Sequence, residues 1–360
     1  MQPTPRRCFA AANSADGFRN YYGEIFTDAR VDRLYIIKGG PGTGKSRFMR
    51  EVAHRARTCG YSVTEYLCSS DSSSLDGLLL TREGFPALGF LDGTAPHLRE
   101  PVLPGVQDEM INLGQFWDSR LLAGQRDTVR RLKEAKAAAY GRAYAYLNGV
   151  GAVARAVEGL LSPCVREEGL EGLAGRLLRR VPSTKAFEVT PALRRAVSMG
   201  GEVTLHCFEE AAMNAGGCIA VAEEHYGLGG RLTASLLRLS EARRHRVWVS
   251  YDPILPDKAD GLYYPDAGLC VLVGHAEIPE GGTVRALSLR HYTHPEALRE
   301  VRGELRRAAA LESKLTDAAL HSLQQASALH FELERIYSAA MDFRAKEAFT
   351  ADFLETIFEK

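Results

Sequence analysis

The stretch Arg33-Leu-Tyr-Ile-Ile-Lys-Gly-Gly-Pro-Gly-Thr-Gly-Lys-Ser46 decides how this part of the chain folds. Its first six residues centre on apolar, β-branched and aromatic side chains, and they predict a buried strand. The glycines that follow let successive backbone N–H groups turn inward around an anion. Apolar residues at helical spacing then run from Phe48 to about Arg57 and predict a helix. Strand, loop and helix together match the phosphate-binding pattern G-x-x-x-x-G-K-[ST].

This pattern assigns a role to each position of the loop. Lys45 would reach the β- and γ-phosphates of a nucleotide, and the Ser46 hydroxyl would ligate magnesium. The backbone of the loop and nearby side chains would contact the remaining phosphate oxygens. We therefore expect Mg²⁺ and ATP, in preference to GTP, to bind through this set of residues: Gly39, Gly40, Pro41, Gly42, Thr43, Gly44, Lys45, Ser46, Arg47 and His97.

A site of this kind also needs a carboxylate at the end of a neighbouring strand, where it holds the magnesium and its water shell. Residues 87–92 form an apolar run that ends in Asp92, and we expect Asp92 to be this second magnesium residue. An ordinary strand-ending aspartate before a turn would look the same. No glutamate follows Asp92, so the catalytic base that many ATPases place beside this aspartate is missing.

Two more acidic residues and a histidine lie where loops should face the nucleotide. Residues 61–68 alternate as a second strand and lead into a serine-rich segment at 69–77. In a doubly wound sheet, loops at the carboxyl ends of strands face the ligand. Asp71 and Asp76 could therefore orient an attacking water, and His97 could contact the γ-phosphate. A solvated serine-rich turn and a hydrogen-bonded loop histidine are the structural alternatives.

Composition excludes several other classes of protein. The 360 residues contain 45 basic and 45 acidic side chains, and this balance argues against a nucleic-acid partner. Seven cysteines are scattered singly without a C-x-x-C pair, which favours a reducing cytoplasm over a disulfide framework or a zinc ribbon. No run of 18 uncharged apolar residues predicts a membrane span, and the first seven residues lead into no apolar export signal.

The second half of the chain repeats the order of the first. It predicts a strand at 218–223, a glycine-rich loop at 227–230, a helix at 233–243 and strands at 246–251 and 268–273. Short identities support this alignment, because Asp76-Gly-Leu is matched by Asp260-Gly-Leu and Gly93 is matched by Gly274. Chance similarity between two α/β halves is the alternative to an internal duplication.

The second copy lacks the residues that make the first copy a candidate site. Gly229, Gly230 and Arg231 stand where the first copy has its lysine and serine, and Val273 stands in place of Asp92. Without those groups the second half cannot bind a magnesium nucleotide in the same manner, and we expect a degenerate scaffold. Arg231 or Arg238 could still serve as an arginine finger for the first site.

Helical patterns follow each predicted sheet. Residues 106–161 begin with a helical pattern at 107–117 and continue in a longer segment, which together predict an antiparallel helix pair, and a long helical region starts at residue 295. We therefore expect an α/β protein with a P-loop NTPase fold, duplicated, with a helical hairpin after each sheet. The expected domains are 1–161 for nucleotide binding and 193–360 for the degenerate copy, joined by a linker at 162–192.

The sequence resembles a family of bacterial tandem-repeat P-loop proteins that are described as ATPases or nucleotide kinases without an assigned substrate. The resemblance spans nearly all of the first half and extends more weakly over the second. Members of that family tend to keep a P-loop in both halves, whereas this chain has one. The segments that carry the resemblance are Lys38 to Ser46, Cys68-Ser-Ser-Asp71, Ser74-Leu-Asp-Gly77, Leu91-Asp-Gly-Thr-Ala-Pro-His97, Asn112-Leu-Gly114 with Trp117-Asp118, and Asn13 through Gly17-Phe18.

Three functional hypotheses follow. The first is a magnesium-dependent ATPase in which Lys45 and the loop amides stabilise phosphoryl charge while Asp71 or Asp76 orients water. The second is a small-molecule or nucleotide kinase in which the helical segment after Val106 covers the acceptor. The third is a protein whose binding to an unknown protein partner is controlled by nucleotide, and the missing glutamate beside Asp92 keeps this hypothesis open.

Overall fold

The computed structural model describes residues 6–212, 217–222, 227–274 and 284–358. Within these ranges the chain is an α/β protein with two six-stranded mixed sheets, which confirms the expected fold class at this level. None of the helices in the same ranges carries an apolar stretch long enough to cross a membrane.

The first half confirms the predicted strands near residues 33–38, 61–68 and 87–92 and the helix after the glycine loop. Its helices and strands have the following bounds: β1 (Arg7–Phe9), β2 (Ala11–Ser14), β3 (Gly17–Asn20), α1 (Tyr22–Ile25), β4 (Arg33–Lys38), α2 (Lys45–Thr58), β5 (Ser62–Leu67), β6 (Leu75–Thr81), β7 (Leu88–Asp92), β8 (Asp108–Asn112), α3 (Ser119–Gly124), α4 (Arg126–Leu161) and α5 (Glu167–Leu177).

The second half contains the predicted strands and helices in the predicted order, with one correction, together with five strands and a helix that the sequence did not predict. Its helices and strands have the following bounds: β9 (Glu188–Pro191), β10 (Arg195–Ser198), β11 (Gly201–Thr204), α6 (Cys207–Ala212), β12 (Cys218–Ala222), α7 (Leu228–Ala242), β13 (Arg246–Tyr251), β14 (Ala259–Tyr264), β15 (Leu269–Val273), β16 (Val284–Ser288), α8 (Pro295–Ala339) and α9 (Phe343–Phe358). The loop predicted at 227–230 is wrong, because α7 begins at Leu228 and residues 228–230 form its first turn. Glu223, the last residue of the predicted strand, lies outside the described residues.

The two sheets have the same strand order. The first runs β1-β5-β6-β7-β4-β8, and the second runs β9-β13-β14-β15-β12-β16. In the first sheet β4 is parallel to β7 and β8, whereas β6 is antiparallel to both its neighbours. In the second sheet β12 is parallel to β15 and β16, and β14 is antiparallel to both its neighbours. This match is compatible with a duplicated α/β domain.

The chain divides into two compact units, each assembled from separate segments. The loop unit comprises residues 20–143, 198–200 and those from 321 onward, and the second unit comprises the rest. In the loop unit α9 packs on α2, and in the second unit α5 packs on α7. Each unit therefore takes a covering helix from a segment that follows the other sheet along the chain. This division differs from the expected boundaries at residues 161 and 193.

Aromatic side chains hold α9 against the sheet of the loop unit. The Phe353 ring lies 5.2 Å from the ring of Tyr35 on β4 and 5.4 Å from the ring of Phe48 on α2. Aromatic pairs of this kind contribute about 0.5–1.5 kcal/mol each beyond the area they bury. The helix that completes this core therefore comes from the end of the sequence.

The helix predicted at 107–117 is wrong, because residues 108–112 form the edge strand β8. This strand pairs in parallel register with β4, from Leu34 opposite Asp108 to Lys38 opposite Asn112. The predicted helix pair is also different, since α4 lies beside α8. Within the loop unit the Lys136 ammonium lies 2.9 Å from His330, and Arg142 bonds Gln325. The two helices are antiparallel there, because the residue numbers of the contacts rise along α4 and fall along α8.

Candidate active site

Lys45 lies across the glycine loop at the start of α2. Its ammonium donates hydrogen bonds to the carbonyl oxygens of Gly39 (3.0 Å) and Gly40 (2.9 Å). Gly44 adopts a left-handed φ of 78° directly before the helix, a conformation that glycine adopts without strain. The loop therefore directs its one cationic side chain and the positive end of the α2 dipole toward the same place.

Asp92 ends β7 and faces Lys45. The two side chains are 13% and 11% exposed, and the ammonium lies 3.6 Å from Asp92 Oδ2. The other carboxylate oxygen accepts bonds from the Thr94 N–H (2.9 Å) and hydroxyl (2.6 Å). Burial raises the pKa of the Asp92 carboxyl, and the Lys45 charge opposes that rise. Because β4 and β7 are adjacent and parallel, the expected lysine and carboxylate lie at the same sheet edge.

Ser46 and Arg47 are placed differently from each other. The Ser46 hydroxyl oxygen accepts a hydrogen bond from the N–H of Leu75 (2.9 Å), which fixes it against the start of β6. Arg47 is exposed and pairs with Glu51 (3.2 Å) and with Glu347 of α9 (2.9 Å). The expected metal-binding hydroxyl is thus tied into the sheet edge, while the expected nucleotide-binding arginine pairs with carboxylates of two helices.

Asp71 stabilises the serine-rich turn that follows β5. One carboxylate oxygen accepts bonds from the Ser73 N–H (3.0 Å) and hydroxyl (2.7 Å), and the other accepts from the Ser74 hydroxyl (2.8 Å). Burial would raise the pKa of Asp71, but these serine bonds outweigh it and hold the pKa below its usual value. Both oxygens of this candidate residue are therefore engaged within its own turn.

Asp76 and His97 form a buried pair. Asp76 belongs to strand β6, which corrects its expected place in the preceding loop. Its Oδ2 lies 3.1 Å from His97 Nε2 and 3.4 Å from the Tyr22 hydroxyl. Burial lowers the pKa of His97, but the Asp76 carboxylate outweighs burial and raises that pKa above its usual value. The Asp76 charge also raises the pKa of Asp92, so the structure brings these three candidate residues together.

Helix α8 packs directly on the glycine loop, which the sequence did not indicate. The Ser338 hydroxyl donates to the Gly42 carbonyl oxygen (3.1 Å) across 296 residues of sequence. The Gly42 N–H donates to the Glu334 carboxylate. A methyl group on Gly40 would stand 3.1 Å from the Trp117 ring, so the loop is in close contact with two segments beyond its own strand and helix.

A chain of polar groups continues from Glu334 along the helices. His330 Nε2 lies 3.5 Å from Glu334 Oε1, and His330 Nδ1 lies 2.9 Å from the Lys136 ammonium. Bonds from His330 and from Gly42 hold the pKa of Glu334 below its usual value, against the effect of burial. Burial lowers the pKa of Lys136, and the Lys45 charge lowers it further. A carboxylate thus lies beside the loop, and His330 links it to a lysine of α4.

The second unit places different groups at the equivalent positions. Gly93, directly after β7, donates its N–H to the Ile37 carbonyl, and Gly274, directly after β15, donates its N–H to the Val221 carbonyl. Val273 therefore takes the place of Asp92. The left-handed Gly227 precedes α7 as Gly44 precedes α2, which puts the buried Leu228 where Lys45 stands. The expected loss of both functional groups therefore agrees with the register, although the lysine position is occupied by leucine.

Arginines of the second unit are occupied within that unit. Arg231 and Arg238, expected as candidate arginine fingers, pair with Glu167 and Glu171 of α5. These ion pairs join α7 to its covering helix. The structure gives both side chains a packing role within the second unit.

Comparison with protein-family models, with curated proteins and with solved structures found no match to this chain. The geometry of the loop unit is therefore the basis for the functional assignment.

Proposed function

We propose that the loop unit binds a magnesium nucleoside triphosphate, ATP in preference to GTP, and hydrolyses it. The observation that carries this proposal is the convergence of Lys45 and Asp92, 3.6 Å apart, beside a glycine loop that opens a helix. A lysine, a strand-ending carboxylate and inward-turned amides are the groups that P-loop NTPases use on a polyphosphate. The P-loop NTPase fold and the resemblance to tandem-repeat P-loop ATPases are part of this proposal.

The chemistry of the loop follows from the groups that it presents. Its amides and the α2 dipole stabilise phosphate charge, and Lys45 exchanges its bonds to the Gly39 and Gly40 carbonyls for bonds to phosphate oxygens. Because the side chains of Lys45 and Asp92 are largely buried, their charges act through a medium that screens them weakly. Stabilising the charge on the phosphoryl group in the transition state is the main contribution of such a site.

The residues at the loop fit a magnesium ion. The Ser46 hydroxyl and the Asp92 carboxylate both offer oxygen, which is the donor that Mg²⁺ prefers. Asp92 ends a buried strand beside Lys45. Ser46 lies at the start of α2, where the N–H of Leu75 holds its hydroxyl in place. When bound, the ion neutralises charge on the β- and γ-phosphates, and Asp92 and Ser46 orient it.

Asp76 is the better-placed candidate for orienting the attacking water. Asp71, the other candidate, has both carboxylate oxygens occupied by serine bonds in its turn. Asp76 faces His97 at 3.1 Å and lies close enough to Asp92 to raise the pKa of that carboxyl.

In this proposal the second unit is a degenerate scaffold, since Leu228 and Val273 replace the lysine and the carboxylate.

Phosphoryl transfer to a small molecule is the second candidate function. The contact of α8 with Gly42 favours keeping it, because a helix over the loop can exclude water from the γ-phosphate. Isotope-labelled ATP decides between the two, since hydrolysis releases inorganic phosphate and a kinase moves the label to an acceptor. Tight binding without either product would indicate a nucleotide-controlled interaction with a protein partner.

The proposal is tested by magnesium-dependent phosphate release from the full chain and its Asp92→Asn variant. We expect this variant to keep nucleotide binding in the absence of magnesium and to lose turnover by about 100-fold, because the amide no longer supplies the anionic magnesium ligand. Asp127→Asn is the matched control, since Asp127 is 96% exposed on α4. Equal magnesium-dependent turnover in Asp92→Asn and wild-type protein would contradict the assigned role.

A second expected result concerns Glu334. The Glu334→Gln variant should bind nucleotide about 3- to 10-fold more tightly, because the Glu334 carboxylate competes with phosphate for the Gly42 N–H and repels it. Isothermal titration with a non-hydrolysable ATP analogue measures the change. Glu332→Gln on the exposed side of the same helix should leave affinity unaltered. Weaker binding by Glu334→Gln would mean that the carboxylate supports the bound state instead.

A further inference from the structure

Three metal-ligating side chains meet beside the glycine loop. Cys68 Sγ, an Asp76 carboxylate oxygen and a His97 ring nitrogen all lie within 4.8 Å of one another. Cys68 directly follows β5, Asp76 is near the start of β6, and His97 lies in the segment after β7. Since β6 is antiparallel to its neighbours, the end of β5, the start of β6 and the end of β7 share one sheet edge. This edge also carries Asp92.

We propose that Cys68, Asp76 and His97 form a site for one transition-metal ion of the Zn²⁺ class. Thiolate, imidazole and carboxylate are the donors that Zn²⁺ takes from proteins, whereas Mg²⁺ and Ca²⁺ take oxygen alone. Three protein ligands leave a fourth position open, which is the arrangement of catalytic zinc sites. The proposed site is thus distinct in chemistry from the magnesium position at Ser46 and Asp92.

The distances between the donors suit such an ion. Metal–nitrogen and metal–oxygen bonds of about 2.0–2.2 Å in a tetrahedron put the two donor atoms about 3.3 Å apart. The observed separation of His97 Nε2 and Asp76 Oδ2 is 3.1 Å. The histidine and the aspartate therefore stand close to the spacing of two ligands on one ion, and Cys68 Sγ lies within 4.8 Å of both.

Neighbouring groups orient two of the ligands. The Tyr22 hydroxyl lies 3.4 Å from Asp76 Oδ2, and its ring meets the His97 ring edge-on at 5.4 Å. Supporting groups of this kind fix ligand geometry and sustain metal affinity in known sites.

The second unit supports the inference with a cation of its own. The register of the two sheets makes Asp252, directly after β13, equivalent to Cys68, and Asp260 on β14 equivalent to Asp76. There the Arg195 guanidinium lies 3.4 Å from Asp252 and 3.3 Å from Asp260, bridging the two carboxylates. In the second copy an arginine side chain thus neutralises the two carboxylates. At the equivalent positions the first copy has side chains suited to binding a metal ion.

A metal at this position deepens the proposed function, and its catalytic consequence rests on that function. A Zn²⁺-class ion acts as a Lewis acid and lowers the pKa of a water bound at its open position. Asp76 would then act on the attacking water through the ion that it ligates. The binding of metal itself requires only the three ligands, so it can be tested separately from nucleotide chemistry.

Cobalt(II) titration of the full chain, stripped of metal with a chelator, tests the site directly. We expect one Co²⁺ per chain, with a thiolate-to-cobalt charge-transfer band in the near ultraviolet and the visible d–d bands of a tetrahedral site. Zn²⁺ should displace the cobalt and remove both sets of bands. Absence of the charge-transfer band at saturating Co²⁺ would overturn the proposal.

Variants separate the ligands from their surroundings. Cys68→Ser should lose the charge-transfer band, and His97→Gln should keep the cysteine but weaken Co²⁺ binding by at least about 10-fold. Cys59→Ser is the matched control, because Cys59 is a free, half-buried cysteine at the end of α2. An unchanged spectrum in Cys68→Ser, or unchanged affinity in His97→Gln, would refute the ligand set.

The Lys45→Ala variant distinguishes failure of this inference from failure of the proposed function. We expect it to keep the cobalt spectrum, because Lys45 is outside the set Cys68, Asp76 and His97. Cobalt binding without nucleotide binding in wild-type protein would retain the metal site and remove the NTPase proposal. Nucleotide turnover without a thiolate–cobalt band would do the reverse.

Discussion

Replacing Lys45 with alanine is expected to weaken binding of magnesium ATP by about 10- to 100-fold and to lower turnover by about 100- to 1,000-fold. The loss in affinity reflects one charge-assisted hydrogen bond, which contributes about 1.5–3 kcal/mol. The larger loss in turnover reflects the extra charge that Lys45 would stabilise in the transition state. Equilibrium titration and steady-state phosphate release measure the two quantities separately.

Lys133→Ala is the matched control for this result. Lys133 is an exposed lysine on α4 in the same unit, so its loss changes the net charge equally without removing a contact to the loop. Retained turnover in Lys45→Ala would exclude the proposed site as the source of any ATPase activity. A wild-type chain that binds no nucleotide would refute the proposal without reference to either variant.

The Gly42→Ala variant is expected to be strongly destabilised. Gly42 adopts φ +71°, where an L side chain costs about 1–2 kcal/mol. The added methyl group would also stand 2.5 Å from the Ser338 hydroxyl and 2.6 Å from the Glu334 carbonyl oxygen. Overpacking against the backbone of α8 adds about 1–3 kcal/mol. A thermal melt of the full chain should therefore show a clear fall in midpoint.

Gly84→Ala separates the two contributions. Gly84 has a similar φ of +76°, but nothing lies within 4 Å of the position that its methyl group would take. The difference between the two falls in midpoint reports the contact of Gly42 with α8. Equal falls would mean that the helix moves away from the loop at no cost, and that the contacts of Ser338 and Glu334 with Gly42 contribute nothing to stability.

The sequence predicted the part of the site that is local in the chain. The run from Arg33 to Ser46 carries its strand, loop and helix signals consecutively, and short-range physics determines each of them. Asp92 can be identified because it ends an apolar strand. The match between Asp76 and Asp260 can be identified because the two halves keep the same order of elements. These features need no knowledge of tertiary contacts.

Residues that act through long-range contacts could not be found in this way. Glu334 and Ser338 lie in a helix of 45 residues, and no local pattern distinguishes them from its other polar positions. They are identified only by their bonds to Gly42, which follow from the packing of α8 on the loop. The sequence indicates both Asp76 and His97 as candidates, but their pairing follows only from the placement of β6 beside β7.

The wrong helix at 107–117 has a physical origin. Asp108 and Ile111 are the buried positions of β8, and a spacing of three fits a helical face as well as it fits an irregular edge strand. Pairing with β4 decided the outcome, because it satisfies the backbone of residues 108–112 along the edge of the sheet. Only the tertiary partner distinguishes the two structures here.

Each unit takes a covering helix from a segment that follows the other sheet, and this sets the order in which the units can be completed during synthesis. The strands around the glycine loop leave the ribosome before the second sheet, whereas α9 and the end of α8 leave it after the second sheet. A nascent chain that stops before residue 321 leaves Phe48 without Phe353 and Gly42 without Ser338. The glycine loop is thus translated before the second sheet, but its unit is completed only after that sheet has been translated.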